Sequence, residues 1–243
     1  MTYVPPVVRQ LADRLDGLGW VTDLLVAGSL ATGDYVCGVS DLDLVALTAG
    51  PVGQERQEIL AGLHRGLDSG AAQGFDLGCV YVDAGRLADL EALHPTWTHG
   101  LLVQRILSGV TRAELVRHGF AVLGRPPAAV LPGMTDDDVR RAARAELCGY
   151  WAQAARRPLW WLNPVIADLG LTSMARGRHA LRTGQLLTKT QAIEQAHAPA
   201  WLKDQLRARR RGERVTSPRA RTALIAWRDA RRTVAGACRS SPG

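Results

Sequence analysis

An α/β domain with a small sheet, followed by an all-helical bundle, is the fold class this 243-residue sequence predicts. Three observations carry that expectation. Apolar runs of strand length alternate with helix-period stretches through the first half of the chain. A proline-rich stretch, Gly124-Arg-Pro-Pro-Ala-Ala-Val-Leu-Pro-Gly133, then interrupts the pattern. Beyond it the strand and turn signals fade and apolar residues recur at helical spacing, which places the two domains at 1–132 and 133–243.

Taken in order, Val7, Leu11, Leu15 and Leu18 follow helical spacing after Pro5-Pro6, so a helix is expected over 5–18 with prolines at its start. The compact apolar run 22–29 (TDLLVAGS) suits a buried strand ending in Gly-Ser. A second strand is expected over 42–47 (LDLVAL), a helix over 54–67 with Ile59, Leu60, Leu63 and Leu67 on one face, and a third strand over 75–82 (FDLGCVYV). Past the boundary, Thr135 followed by Asp136–Asp138 reads as a cap with acids in the first turn. Helices are expected over 135–156, 163–182, 189–197, 199–211 and 217–237.

Composition narrows the function classes. With 47% hydrophobic and 22% charged residues the chain is not disordered, and no apolar run approaches the roughly 18 residues of a membrane span. The start, MTYVPPVVRQLADRLDG, has neither a basic n-region nor a long apolar h-region, and the protein reads as cytoplasmic. Cys37, Cys79, Cys148 and Cys238 lie far apart without a CxxC pair, so neither a zinc site nor a disulfide framework is expected. Charge is divided unevenly. Residues 1–132 carry 9 Arg and 14 acids, net −5; residues 133–243 carry 19 Arg, 2 Lys and 9 acids, net +12. The stretch 207–239 holds 11 arginines against Glu213 and Asp229. Such a half can bind nucleic acid, but its arginines alternate with apolar residues at helical spacing, which favours a solvated helical surface.

The segment that carries chemistry runs from Ala27 to Leu44, AGSLATGDYVCGVSDLDL. An apolar strand ends in Gly28-Ser29, a glycine-containing loop follows, and after Ser40 a new strand opens with Asp41-Leu-Asp43. Strand side chains alternate, so Asp41 and Asp43 share a face. Paired carboxylates suit Mg²⁺, which binds through one or two of them together with substrate phosphates. Gly28 permits close backbone approach, and Ser29 offers a hydroxyl and an N–H to a phosphate. Asp76 is the candidate third carboxylate, with Asp83 its rival at the strand end. No histidine has metal-ligand spacing, and none is assigned a role.

This order of elements resembles the nucleotidyltransferase fold related to DNA polymerase beta. Residues 168–202 resemble the helical domain of the streptomycin/spectinomycin (aminoglycoside) adenylyltransferases, at Ala175-Arg176, Thr183-Gly184 and Lys189; Leu115–Gly124 is similar to that family's helix-to-strand passage. The resemblance implies a small mixed sheet, a nucleotidyltransferase domain and a helical-bundle domain. It also implies transfer of AMP from ATP to an acceptor hydroxyl. Asp41 and Asp43 would hold Mg²⁺ on ATP lying between the domains, Gly28, Ser29 and Ser40 would sit at the nucleotide, and Lys189 would contact phosphate. The family's base is a glutamate; Asp76, one methylene shorter, is either that base or a third metal ligand. Trp97, Trp160 or Trp161, and Asp168 match the family's acceptor-binding positions for an aminocyclitol, although core filling competes for the tryptophans. The alternatives are a related enzyme acting on tRNA or another macromolecule, supported by the arginines of 207–239, and a catalytically silent nucleotide-binding module.

Overall fold

The computed structural model describes residues 3–239, which divide into two compact units with the boundary between Gly133 and Met134. In the first, helix α1 (Pro6–Asp16) leads into β1 (Val21–Val26), a short helical turn α2 (Gly28–Ala31), β2 (Leu42–Thr48), α3 (Gln54–Asp68) and β3 (Leu77–Asp83). A hairpin of β4 (Leu93–Thr98) and β5 (Leu101–Ile106), helix α4 (Gly109–His118), β6 (Phe120–Leu123) and a turn of helix α5 (Pro127–Val130) complete it. The strands form one mixed sheet in the order β5-β4-β3-β2-β1-β6. Among the described residues only β2 and β3 pair in parallel; a parallel pair needs a crossover, and α3 supplies it.

Both faces of this sheet are covered, which is why its central strands read as continuous apolar runs. Leu24, Val26, Leu42 and Leu44 face the side where α1 contributes Leu11 and Leu15 and α3 contributes Leu60 and Leu67. Leu25, Val45, Leu47 and Val82 face the other side, against Leu115 of α4 and Leu131. Asp23 also lies in the sheet, fully buried; Arg125 donates to both its oxygens (3.1 and 2.8 Å), and this pairing holds its carboxyl below the usual range against the opposing effect of burial.

The sequence expectations for this unit need three corrections. The first strand stops at Val26 rather than Ser29, because Gly28 turns the chain at φ +60° and Gly28–Ala31 is helical. The third strand begins at Leu77, leaving Asp76 just outside it. Strands β4 and β5 were not expected at all, since Pro95 interrupts Leu93–Thr98 and reads as a breaker.

The second unit is helical. Helix α6 (Asp136–Glu146) starts with Thr135 and Asp138 bonded reciprocally as a capping box, and continues through a π-helical turn at Leu147–Trp151 into α7 (Ala152–Ala155). A 3₁₀ segment at Pro158–Leu162 precedes the long α8 (Pro164–Thr183), then α9 (Lys189–Gln195), α10 (Ala200–Arg210) and α11 (Arg219–Arg239). Trp151, Trp161, Leu171, Met174, Leu202, Leu206 and Ala223, Ala226, Ala230 and Ala237 of α11 are among its core residues. Cys148 and Cys238 are joined by a disulfide with a Cα–Cα separation of 5.8 Å. This overturns the expectation of unpaired cysteines: packing of α11 against the π-helical turn closes a gap of 90 residues that spacing alone made look too wide. Among the described residues, no helix is long and apolar enough to cross a membrane.

Candidate active site

Strand alternation in β2 buries Leu42 and Leu44 and leaves Asp41 and Asp43 exposed on the opposite face. The turn that ends β1 lies directly against them. Ala27 N–H donates to the Asp43 carbonyl (2.9 Å), and Gly28 backs onto the Asp43 side chain. A Cβ built on Gly28 would stand 2.8 Å from Cγ of Asp43 and 3.0 Å from its Cβ, and closer still to Oδ2. Glycine is therefore required here twice over, by the positive φ and by the carboxylate occupying the space.

The loop between this turn and β2 is pinned at both ends. Asp34 N–H donates to the Ser29 carbonyl (2.9 Å), and Val36 N–H donates to Ser40 Oγ (3.0 Å). Ser29 is half-buried beside the Gly28 turn, whereas Ser40 is 5% exposed and its hydroxyl closes the loop.

Asp76 is held beside the pair by register. In the parallel ladder Asp43 is opposite Gly78 and Leu42 opposite Leu77. Leu42 N–H then donates to the Asp76 carbonyl (2.8 Å), which places Asp76 across from Asp41. Its carboxylate, however, is engaged elsewhere: Oδ2 lies 3.2 Å from Nδ1 of His99. Among the described residues no three His, Cys, Asp or Glu side chains group closely enough to hold a metal ion. The side chain of Asp76 is thus turned to an imidazole. Asp83 caps the turn that follows β3, accepting from Gly85 N–H (3.0 Å), as a turn residue would.

Asp76 and His99 line a cavity of about 330 Å³ with Asp68, Phe75 and Trp97. The C-terminal end of α3, the following loop and the β4–β5 turn form it. Trp97 is 2% exposed, stacks on His64 (centroids 4.9 Å apart) and donates its indole N–H to Asp68 (3.2 Å). The ring therefore belongs to the core and at the same time borders the cavity. Burial raises the Asp68 carboxyl above the usual range, with the nearby negative Asp76 adding to the effect.

Two other acceptor candidates lie in the helical unit. Trp161 is 1% exposed, donates to the Ala154 carbonyl (3.0 Å) and packs so closely on α8 that a Cβ on Gly170 would meet its Cη2 at 2.8 Å. Trp160 is the exposed member of the pair, with Arg157 over its ring. Asp168 is held by both donors of Arg209 (2.6 and 3.0 Å), which ties α8 to α10; burial raises its carboxyl and Arg209 opposes that. The motif around Lys189 is a folded piece. Gly184 ends α8 in the left-handed conformation, Arg176 Nε donates to the Leu187 carbonyl (2.9 Å), and Lys189 opens α9 behind the Thr188 cap.

No protein-family model and no curated protein sequence match the chain. A solved structure does: the spectinomycin adenyltransferase AAD(9) from Enterococcus faecialis, determined with ATP and spectinomycin. It aligns over 93% of this chain and 96% of its own, with a TM-score of 0.69 at 16% identity. The chain has the adenylyltransferase fold. That fold covers both units, and its sheet carries the Gly28 turn and the Asp41/Asp43 pair. His99 and Asp68 were missed from sequence. The available signal was His99-Gly100 between two apolar runs, the mark of a two-residue hairpin turn.

Proposed function

We propose that the protein is a Mg²⁺-dependent nucleotidyltransferase that moves AMP from ATP to a hydroxyl of an aminoglycoside-like, aminocyclitol acceptor and releases pyrophosphate. One observation carries the reading: the Asp43 carboxylate fills the space a side chain on Gly28 would need, beside exposed Asp41, on a fold aligned with an adenyltransferase. Two exposed carboxylates on one strand face are a hard-oxygen donor set that fits Mg²⁺, and the fit does not need a third ligand, since this ion keeps its waters and shares substrate phosphates. When bound, the ion supplies charge neutralisation at the triphosphate. Asp41 and Asp43 would hold it. Gly28 and Ser29 let the backbone approach the phosphates, Ser40 fixes the loop that orients Asp41, and Lys189 is assigned to phosphate on its motif. The acceptor oxygen attacks the α-phosphorus as its proton leaves, and the bond to the bridging oxygen breaks.

The cavity with Asp68 and Asp76 suits a cationic acceptor, and this supports an antibiotic-modifying role. The test is mass spectrometry of spectinomycin and a panel of aminoglycosides incubated with the protein and Mg·ATP. An added AMP on a panel member is the expected result. No adduct on any member, with transfer to RNA instead, would overturn the reading.

A further inference from the structure

We infer that Gly78 is the floor of the slot that receives the hydroxyl-bearing ring of the acceptor, and that its missing side chain sets how large that ring can be. The inference rests on the nucleotidyltransferase reading and adds a specificity-determining residue to it.

Among the described residues Gly78 is the single glycine inside a strand. A strand glycine weakens pairing, and it normally answers to a bulge, a bend or the close approach of another group. No bulge is present, because the β2–β3 register runs unbroken from the Leu42–Leu77 pair to the Thr48–Asp83 pair. The backbone does not demand glycine either, since its φ is not positive. Nor does packing. A Cβ here would meet nothing nearer than the carbonyl oxygens of Leu42 at 3.7 Å and Trp97 at 3.8 Å, ordinary van der Waals contacts. The fold itself tolerates a side chain at this position, which leaves the approach of a ligand as the cause.

Place in the sheet says which ligand. Gly78 is directly opposite Asp43 in the parallel ladder, and residues opposite each other present their side chains on one face. Cys79 pairs with Trp97, so one step along the antiparallel ladder Gly78 is opposite Thr98. Asp43, Gly78 and Thr98 therefore form a row across β2, β3 and β4. It lies on the face of Val45, Leu47 and Val82, while Cys79 and Trp97 belong to the other side. Asp43 is exposed, Gly78 and Thr98 are half-buried, and Val80 closes the inner end by packing on the core around Leu25 and Leu115. Two inter-strand spacings separate Asp43 from Thr98, about 9.5 Å, which accommodates one saturated ring with its hydroxyls. A carboxylate forms one wall, a hydroxyl the other, and bare peptide the floor. That is a flat polar slot suited to a polyhydroxylated ring, and a ring lying in it presents a hydroxyl beside Asp43.

Filling the slot is the test, with Gly78→Ala and Gly78→Val. Because the space is open and valine favours strands, Gly78→Val should raise the melting temperature by about 2–4 °C. Calorimetric binding of Mg·ATP should be unchanged. Affinity for spectinomycin, or for the member of an aminoglycoside panel that the wild type modifies, should weaken about 10- to 100-fold in Gly78→Val, with Gly78→Ala in between. Equal acceptor binding in all three proteins overturns the assignment. A matching loss of Mg·ATP binding also overturns it, by making the slot the nucleotide's, and a lower melting temperature in Gly78→Val does so by showing that the fold requires the glycine. A wild type that binds Mg·ATP but neither binds nor modifies any panel member overturns the transferase reading and the slot with it. Unaltered transfer in the variants sinks the slot alone.

Discussion

Gly28→Ala separates what the turn does for folding from what it does for Asp43. At φ +60° an alanine costs about 1–2 kcal/mol of backbone strain, a fall of roughly 2–4 °C in melting temperature per kcal/mol for a chain of this size. The added methyl would also lie 2.8 Å from Cγ of Asp43, inside van der Waals contact, so the carboxylate has to move by about an ångström. A displacement of that size at reacting groups costs on the order of 10²-fold in rate. Gly33→Ala is the matched control: its φ is +72°, but nothing lies within 4 Å of the new Cβ. Both variants should lose similar stability by thermal unfolding, and only Gly28→Ala should lose AMP transfer in the mass-spectrometric assay. Equal activity in the two variants would show that the Asp43 carboxylate does not sit at the reaction centre.

Three further perturbations test other parts of the account. Asp43→Asn should cut turnover by orders of magnitude with an unchanged thermal transition; wild-type turnover would remove Asp43 from the metal site. His64 is buried, bonded to the Tyr81 hydroxyl (2.7 Å), and burial lowers its pKa from 6.5 to about 3. The unfolded chain then binds the extra proton below pH 6.5, so stability is complete above that pH and falls with acid until about pH 3. Between pH 7 and 5 the loss is about 2 kcal/mol. Urea unfolding should show this slope in the wild type and not in His64→Phe/Tyr81→Phe; identical slopes would refute it. Replacing Cys148 and Cys238 with Ser should lower the stability of the helical unit by about 2–4 kcal/mol, and reductant should then change only the wild-type unfolding curve.

The parts of the molecule legible in the sequence are those where one local pattern has one physical cause. The Asp41/Asp43 pair was readable because strand alternation alone puts two residues on one face. The helices after Thr135 were readable because a cap, first-turn acids and a 3.6-residue period agree. What stayed hidden depends on partners distant in sequence. Trp97 has the composition of a stacking platform, and only the contact with His64, some thirty positions away, shows that it belongs to the core. Asp168 looked available for a substrate cation until α10 brought Arg209 onto it. Cys148 and Cys238 meet through helix packing. Likewise His99 meets Asp76 only through a hairpin whose first strand contains a proline.

The charge asymmetry bears on the proposed acceptor once the arginines are followed to their partners. Arg207 binds Glu194 and Asp204, Arg209 binds Asp168, and Arg211 binds Glu213. Arg221 and Arg231 lie over Trp201 and Trp227, and Arg219 donates to the Leu162 carbonyl. The contacts of Arg207 with Glu194, Arg209 with Asp168, Arg221 with Trp201 and Arg219 with Leu162 join separate elements, while the others are local; a polyanion track needs a continuous row directed at solvent and phosphate. The acidic unit shows the opposite arrangement, with Asp68 and Asp76 lining a cavity next to a histidine. Negative charge is concentrated where a ligand can enter, while much of the positive charge is spent on structure, and that division suits an amine-bearing sugar better than a nucleic acid.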